Sequence, residues 1–216
     1  MKDCLIVFAK EPQAGLVKTR LNGELSQGMC VRLYKAFLKD TLCLARSVKC
    51  FVRALAYESY RAQPDYLKSV ARDFIFHEQK GKGLGEKMRN AFGFARRMDC
   101  DKIVIMGSDS PNLPAKRIND AFKLLDTNDI VLGPSLDGGY YLIGLKAPCA
   151  GIFRGVRWSS QTVFARTLKN ALSMGKKVSA LKSWYDVDEP FSLSLLRNDL
   201  RRDKSAAPWT RKLLKI

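Results

Sequence analysis

The sequence predicts one α/β domain with a mostly parallel central sheet covered by helices on both faces. Short apolar runs alternate along the chain with segments in which apolar residues recur at three- and four-residue steps. Polar, glycine-rich loops follow several of the runs, and no Pro- or Ser-rich linker divides the 216 residues. Parallel strands are buried on both faces and joined through helices, so this alternation is typical of a single Rossmann-like three-layer domain.

Seven short runs are the predicted strands of this sheet. The first, residues 5–9, is wholly apolar, as expected for a strand that is covered on both faces. The seven runs are residues 5–9, 50–57, 73–77, 102–106, 130–132, 139–145 and 177–181. Because ligands of such sheets bind beyond the carboxyl ends of the strands, we expect functional residues in the loops that follow these runs.

Five segments between the runs have the 3.6-residue period of amphipathic helices. The longest covers residues 31–48, and another follows a glycine-rich stretch in the middle of the chain. Proline fits the first turn of a helix, so Pro114 and Pro190 are expected to open two more. Ser159 or Ser160 is expected to cap the fifth helix.

Composition and charge exclude several classes of protein. The chain is 46% hydrophobic and 27% charged, which excludes collagen-like and disordered classes. No apolar run reaches the length of about 18 residues that spans a membrane, and residues 1–8 lack a signal-peptide pattern, so we expect a cytoplasmic protein. Six scattered cysteines and the single His77 offer no Cys/His zinc set and no histidine-based hydrolase motif, and we expect reduced, mostly buried thiols.

The net charge of +17 predicts an affinity for phosphates, polyanions or acidic surfaces. A basic tail begins at about residue 197, where seven basic residues stand against two acidic ones, and we expect it to fray. The oligomeric state is not indicated by any pattern in the chain.

The loop after the first predicted strand has the residues of a diphosphate site. Gly15 precedes Lys18, Thr19 and Arg20, which together offer backbone amides, a hydroxyl and two cations. A solvated basic loop explains the same pattern equally well. The glycine-rich stretch that ends at Gly85 is similar, because it suits either close backbone approach to a ligand or a flexible turn.

Two loops contain carboxylates suited to a divalent cation. Asp109 directly follows the predicted strand 102–106, and Asp188 follows the last predicted strand. Magnesium and manganese are held by carboxylate oxygens together with substrate phosphates, so the pair is a candidate metal site. The competing interpretations are a turn-capping role for Asp109 and an N-cap role for Asp188 ahead of Pro190.

A third loop has the residues of an acceptor site. Asp137 stands before Gly138 and Gly139, where a carboxylate and open backbone can meet an acceptor hydroxyl, with Tyr140 as a wall. Deprotonating or orienting that hydroxyl is the catalytic role expected of Asp137. An Asp-Gly hairpin turn that leads into an ordinary strand is an equally good interpretation.

Taken in order, these segments resemble one superfamily, the glycosyltransferase-A-like nucleotide-diphospho-sugar transferases. Within it, the chain resembles the bacterial radical-SAM/selenodomain-associated, arsenosugar-biosynthesis type of glycosyltransferase. The matching segments are residues 8–21, 33–42, 84–88, 107–111, 133–141, 158–159 and 186–188.

The resemblance implies a nucleotide-binding first loop, in which Ala9, Lys10, Lys18 and Arg20 meet the donor phosphates. It implies Mg²⁺ or Mn²⁺ on Asp109 and Asp188, with Asp109 essential to catalysis. The residues implied on the acceptor side are Asp137, Gly138, Gly139, Tyr140 and Trp158.

The leading interpretation is therefore a metal-dependent glycosyltransferase that uses a nucleotide-diphospho-sugar donor and a small-molecule acceptor. The same fold also serves nucleotidyltransferases, so guanylyl or cytidylyl transfer to a small phosphorylated acceptor is the alternative. The high charge also fits a nucleic-acid-binding module that reads phosphates, but the basic residues are spread along the chain without a nucleic-acid motif.

Overall fold

Strands and helices alternate along residues 2–60 and 63–216, the part of the chain that the computed structural model describes. The strands are β1 (Asp3–Lys10), β2 (Val52–Glu58), β3 (Ile75–Glu78), β4 (Lys102–Met106), β5 (Ile130–Pro134), β6 (Tyr140–Leu145) and β7 (Val178–Ala180). The α-helices are α1 (Gln27–Ser47), α2 (Asp65–Val70), α3 (Leu84–Arg97), α4 (Ala115–Leu124), α5 (Val163–Ser173), α6 (Pro190–Arg202) and α7 (Pro208–Leu214). Short 3-10 helices cover Thr19–Leu21 and Ala150–Phe153.

The seven strands form one sheet in the order β3-β2-β1-β4-β6-β5-β7. Strand β6 runs antiparallel to both β4 and β5, and the other neighbouring pairs are parallel. The carboxyl ends of β1, β2 and β4 therefore lie at the same edge of the sheet as the amino end of β6. The predicted single α/β domain with a mostly parallel sheet is confirmed.

Alternate residues of β1 supply the core on the two faces of the sheet, as a period of two requires. Leu5 and Val7 belong to the cluster that packs beneath α1 and α4, whereas Cys4 and Ile6 belong to the cluster beneath α3. A third cluster joins α1 to α6 and α7 and includes the fully buried Phe37. Helices thus cover both faces, and the loops at the strand ends are left to form a site.

Two helices that periodicity does not predict begin at carboxylates that are distant in sequence. Glu11, only 6% exposed, accepts hydrogen bonds from the backbone amides of Tyr66 and Leu67 at 2.9 and 3.2 Å, in the first turn of α2. Asp40 of α1 accepts hydrogen bonds from the amides of Trp209 and Thr210, in the first turn of α7. Free amides at a helix start need acceptors, and here tertiary contacts supply them.

The expectation that the basic tail frays is wrong. Its first residues continue α6 to Arg202, and α7 follows against α1, held by the Asp40 contacts. The expected cap of α5 is also wrong. The N-cap position belongs to Thr162, and Ser159, with a φ of 61°, lies in the preceding turn because the chain reverses there before the helix begins.

The six cysteines are all unpaired, and four of them are buried. Within the described part of the chain, no helix has both the length and the apolar composition needed to cross a lipid bilayer.

Candidate functional site

A cavity of about 560 Å³ opens at the sheet edge where β1, β2 and β4 end and β6 begins. Its walls come from the first loop, the start of α3 and the loop that precedes α6. The polar residues that line it are Lys10, Lys18, Thr19, Arg20, Tyr34, Glu58, Gln79, Lys87, Ser108, Asp109, Tyr140, Tyr141, Ser159, Asp186 and Asp188. The cavity therefore collects most of the polar residues that the sequence analysis selected, at the place where this class of sheet binds ligands.

The Lys18 ammonium joins the two predicted metal-binding carboxylates. Its Nζ lies 2.5 Å from Oδ1 of Asp109 and 2.9 Å from Oδ1 of Asp188, and it donates a third hydrogen bond to the carbonyl of Val187 at 2.8 Å. All three donors of the ammonium are thus in use. Lys18 was expected to meet phosphate oxygens. Its described hydrogen bonds go to Asp109, Asp188 and Val187, and its contact with a phosphate stays a prediction.

Several features hold Lys18 in this position. The side chain is 1% exposed, its backbone is left-handed with a φ of 52°, and its Nζ lies 5.0 Å from the centre of the Phe37 ring. Burial alone lowers the pKa of Lys18, but Asp109 and Asp188 more than offset this, so the pKa lies above its ordinary value. Lys18 is therefore a fixed positive charge at the base of the cavity.

The loops that carry the two carboxylates are tied directly to each other. The amide of Val187 donates to the carbonyl of Asp109 at 2.8 Å, and Ser110 donates to the carbonyl of Tyr185 at 2.9 Å. Asp188 is not the N-cap of α6, because that position belongs to Glu189. The N-cap interpretation of Asp188 is wrong, and its carboxylate is turned towards Lys18 instead.

Asp186 is a cavity residue to which the sequence analysis assigned no role. Its two carboxylate oxygens accept hydrogen bonds from Ser110 at 2.7 Å and from Ser135 at 3.1 Å. Burial, and then the charge of Asp109, raise the pKa of Asp186 to about 7. Its place in the Asp-Val-Asp segment, two residues before Asp188, was the available signal, but that spacing alone does not show that both carboxylates enter the cavity.

The predicted phosphate-binding residues fall into two groups. Ala9, Lys10, Thr19 and Arg20 line the cavity, and the Arg20 guanidinium pairs with Glu189 at 3.2 Å, with both side chains exposed. Gly15, with a φ of 77°, is not among the described residues that line it. Its positive φ belongs to the turn at residues 14–16.

Gly85 supports the cavity wall from behind rather than lining it. A β-carbon at this position would lie 2.7 Å from Cζ2 of Trp158, so the indole packs directly on the backbone of α3. Trp158 in turn contacts the ring of Tyr140 edge-on, with 6.5 Å between ring centres. Tyr140 lines the cavity, and Trp158 packs behind the Tyr140 ring without lining the cavity itself.

The structure places Asp137 in a hairpin turn, in agreement with the alternative interpretation of that loop. Its Oδ1 accepts a hydrogen bond from the amide of Gly139 at 2.9 Å, and Gly138 has a φ of 86° and packs against Gln161. Asp137 is exposed, and neither it nor the two glycines are among the described residues around the cavity. The tight turn directs Oδ1 of Asp137 to its own backbone, and the contact of Asp137 with an acceptor stays a prediction.

A second charged group lies in the cavity and was also missed by the sequence analysis. Lys87 of α3 donates a hydrogen bond to Oε1 of Glu58 at 2.6 Å, and Lys10 lies 3.8 Å from Oε2 of Glu58. Glu58 ends β2, and its side chain is 23% exposed. Lys87 lies in the matching segment 84–88, but no pattern links it to a Glu 29 positions earlier, so only the fold shows that they are partners.

The residues present fit a divalent cation such as Mg²⁺ or Mn²⁺ at Asp109 and Asp188. Each carboxylate gives one oxygen to Lys18 and keeps a second, and their side chains remain 38% and 44% exposed towards the cavity. No three Cys, His, Asp or Glu side chains are grouped as a metal cage within residues 2–60 and 63–216. A cation held here would complete its shell with water and substrate phosphates, which is usual for Mg²⁺.

The fold and the cavity define a class, that of the nucleotide-diphospho-sugar transferase-like α/β domains. Along its whole length, the chain matches the crystal structure of a Desulfovibrio desulfuricans G20 protein that is assigned provisionally as a nucleotide-diphospho-sugar transferase. The TM-score is 0.90 at 33% identity, and the match covers 95% of that protein. The fold alone is shared with a CMP:2-keto-3-deoxy-manno-octonic acid synthetase in complex with CTP, at a TM-score of 0.59 and 10% identity over 94% of this chain and 99% of that one.

The chain belongs to the DUF2064 family, a family of uncharacterised proteins conserved in bacteria, whose model matches residues 41–160. It is also similar to a 2-phospho-L-lactate guanylyltransferase of Methanocaldococcus jannaschii, with 28% identity over 131 residues. That match covers 61% of this chain and 55% of the archaeal protein. The chain spans about half, or less, of the length of the curated relatives that it matches.

Proposed function

We propose that this protein is a metal-dependent nucleotidyltransferase. It would transfer a nucleoside monophosphate from a nucleoside triphosphate to a small phosphorylated acceptor. The acceptor phosphate oxygen bonds to the α-phosphorus, the bond between the α- and β-phosphates breaks, and pyrophosphate leaves. The observation that carries the proposal is the Lys18 ammonium between Asp109 and Asp188, in a cavity that also holds Lys10, Arg20 and Lys87.

The charges of the cavity suit this reaction. Phosphoryl and nucleotidyl transfer depend mainly on positioning and on cations that offset negative charge on the phosphates. Lys10 and Arg20 line the cavity with side chains that are 48% and 63% exposed, so they are available to phosphate oxygens. When bound at Asp109 and Asp188, Mg²⁺ or Mn²⁺ would supply further charge stabilisation to the triphosphate.

The acceptor side favours a phosphorylated acceptor over a sugar hydroxyl. A phosphate is already ionised near neutral pH, whereas a hydroxyl needs a carboxylate to remove its proton. Asp137 lies in its hairpin turn, and both oxygens of Asp186 accept serine hydroxyls. Asp137 is thus not among the described residues that line the cavity, and both oxygens of Asp186 are engaged, so neither carboxylate is positioned as that base. The guanylyltransferase name of the curated relatives supports the same conclusion.

Sugar transfer from a nucleotide-diphospho-sugar is the second candidate, because a neighbour along the whole chain is assigned provisionally to that activity. The arsenosugar-biosynthesis type is the specific form that the resemblance implies. The two candidates differ in which bond breaks, so their products separate them. Nucleotidyl transfer releases pyrophosphate, and sugar transfer releases a nucleoside diphosphate.

A product assay tests the proposal. The full chain is incubated with Mg²⁺ or Mn²⁺, each of the four nucleoside triphosphates and small phosphorylated acids, beginning with 2-phospho-L-lactate. We expect pyrophosphate to form only when metal and acceptor are both present, and Asp109→Asn to abolish its formation. Release of nucleoside diphosphate from nucleotide sugars, without pyrophosphate in the triphosphate arm, would replace this proposal with the second candidate.

A further inference from the structure

From the paired Glu58 and Lys87 side chains, we infer that this cavity reads guanine and that these two residues are its specificity determinants. The inference rests on the proposed function, which leaves guanylyl and cytidylyl transfer open. Glu58 and Lys87 line the same cavity as Lys18 and Asp109, but they come from the end of β2 and from α3. One part of the cavity thus holds the metal carboxylates, and another presents a separate, oriented ion pair.

The order of atoms in this pair carries the inference. Lys87 Nζ donates to Glu58 Oε1 at 2.6 Å. Oε2 is the next polar atom of the carboxylate, and Lys10 Nζ lies 3.8 Å from it, beyond hydrogen-bond distance. The pair therefore presents, side by side, a donor, an acceptor and a second acceptor. The Watson–Crick edge of guanine presents the complementary set in the same order, with the O6 acceptor, the N1–H donor and the 2-amino donor.

The other three bases do not match this set. Cytosine presents a donor followed by two acceptors, so each of its positions opposes a like group. Adenine presents a donor and then an acceptor, which also oppose like groups. Uracil matches at two positions but places its O2 acceptor against a carboxylate oxygen. A site built to hydrogen-bond a substrate strongly rejects analogues that leave its polar groups unpaired.

The surroundings of the pair fit a base. Leu16 and Leu84 line the cavity with side chains that are 37% and 43% exposed, and apolar side chains of this kind can cover the two faces of a flat ring. Gln79 fixes the strand ends by donating to the carbonyls of Ala9 and Ala56, at 3.3 and 2.8 Å. These hydrogen bonds join the ends of β1 and β2, and Glu58 ends β2.

Equilibrium binding tests this inference separately from turnover. The full chain is titrated with GTP, ITP, XTP and CTP in the presence of Mg²⁺ and without acceptor. Inosine lacks the 2-amino group, so we expect ITP to bind about 10-fold more weakly than GTP, and CTP roughly 10- to 100-fold more weakly. Failure of every triphosphate to bind would overturn the proposed function. Binding of CTP as tight as that of GTP would overturn the guanine inference alone.

The Glu58→Gln variant should change which base the cavity prefers. The Gln amide can donate to the 2-oxo group of xanthine, where a carboxylate can only repel it. We expect roughly 10- to 100-fold weaker GTP binding and tighter XTP binding than in the unaltered chain. An equal loss for all four triphosphates would show that Glu58 only holds Lys87 in place, and would overturn the inference.

Two further variants keep the test decisive. Lys87→Met should weaken GTP and ITP by the same factor, because both carry O6, and unequal losses would contradict the assignment of Lys87. Glu78→Gln is the matched control. Glu78 ends the neighbouring strand β3, is 58% exposed and is not among the described residues of the cavity, so this variant should keep the unaltered preference for GTP.

Discussion

The Lys18 ammonium and the Asp109 carboxylate lie 2.5 Å apart although 91 positions separate them in the sequence. The contact joins the first loop to the end of β4, and the same ammonium reaches Asp188 near the end of the chain. Three distant segments thus meet at one charge. The stability of the fold and the shape of the site depend on the same atoms.

Replacing Lys18 with Met should destabilise the protein and change its response to metal. Removal of one partner from a buried ion pair leaves the other charges uncompensated, and we expect a loss of about 3 kcal/mol in the free energy of unfolding. The freed carboxylates should also make Mn²⁺ more stabilising for the variant than for the unaltered chain. Denaturant unfolding with and without Mn²⁺ measures both effects.

Lys116→Met is the control for that experiment. Lys116 is 80% exposed and pairs with Asp120 one helical turn away, so its loss should cost no more than about 0.5 kcal/mol. Equal effects of the two substitutions would contradict the central role of the Lys18 contacts.

Replacing Gly85 with Ala should destabilise the protein, although alanine favours helices. The new β-carbon would lie 2.7 Å from Trp158, and overpacking of this kind costs about 1–3 kcal/mol. Gly93 is a matched control on the same helix, because its nearest neighbour would be 3.7 Å away, at the flexible end of Arg97. Gly93→Ala should be neutral or stabilising by up to about 1 kcal/mol. The midpoint of thermal unfolding should fall for Gly85→Ala and should stay the same or rise for Gly93→Ala.

A double substitution tests the cause of the Gly85 effect. In a Trp158→Leu background the indole is absent, and the cost of Gly85→Ala should largely disappear. A cost that persists in full would show that the glycine serves some other purpose than contact with Trp158.

Asp40→Asn should release the carboxyl-terminal helix. The Asp40 carboxylate is 3% exposed and accepts hydrogen bonds from the Trp209 amide at 3.0 Å, the Thr210 amide at 2.8 Å and the Thr210 hydroxyl at 2.6 Å. An amide group would oppose one set of donors with its own hydrogens, and we expect a loss of about 2 kcal/mol. Faster trypsin cleavage between α6 and α7, near Lys204, is the local signal. Asp120→Asn, on an exposed pair, should leave the cleavage rate unchanged.

His77 should make the free energy of unfolding depend on pH below about 6.5, its ordinary pKa. Its ring stacks on Phe94 with 4.3 Å between centres, and its buried Nε2 has no hydrogen-bond partner among the described residues. Burial, and then the charges of Arg97 and Lys80, lower the pKa of His77 below its ordinary 6.5. Below pH 6.5 the unfolded chain therefore takes up a proton before the folded chain does. The contribution of this residue to stability is present above that pH and is lost as the pH falls towards the folded pKa.

The measurement is the free energy of unfolding between pH 5 and pH 7.5. The contribution of one histidine cannot exceed a slope of about 1.4 kcal/mol per pH unit. His77→Phe keeps the stacked ring and removes the titration, so the free energy of unfolding of the variant should rise less steeply with pH than that of the unaltered chain, whose Asp186 contribution is the same. An unchanged slope would mean that another group is responsible.

The strands of this fold could be predicted because their signal is local. Residues 102–106 form β4 as predicted, and the other six predicted runs each contain or overlap an observed strand. Helices α2 and α7 could not be predicted, because their caps are Glu11 and Asp40, which are more than 50 positions away. A pattern within one segment does not show an acceptor that another segment supplies.

The residues of the candidate site also divide into those with a local sequence signal and those without one. Asp109 and Asp188 could be selected because each follows a predicted strand, and the fold brings both to Lys18. Lys87 lies in the matching segment 84–88 but received no role there, and Glu58 belongs to no motif. Asp137 follows the local rule for a hairpin turn. Residues at strand ends can therefore be predicted, whereas partners across the cavity depend on packing.

Strand β6 runs antiparallel to both of its neighbours, and this separates the loop before it from the loops that follow β1, β2 and β4. Because β6 is reversed, the hairpin of residues 135–139 leads directly into Tyr140, the cavity residue that begins the strand, although the hairpin itself is not among the described residues that line the cavity. This hairpin shares no backbone with the first loop or with the ends of β2 and β4. Its length and composition can therefore change without shifting the ends of β1, β2 and β4, around which the cavity is built.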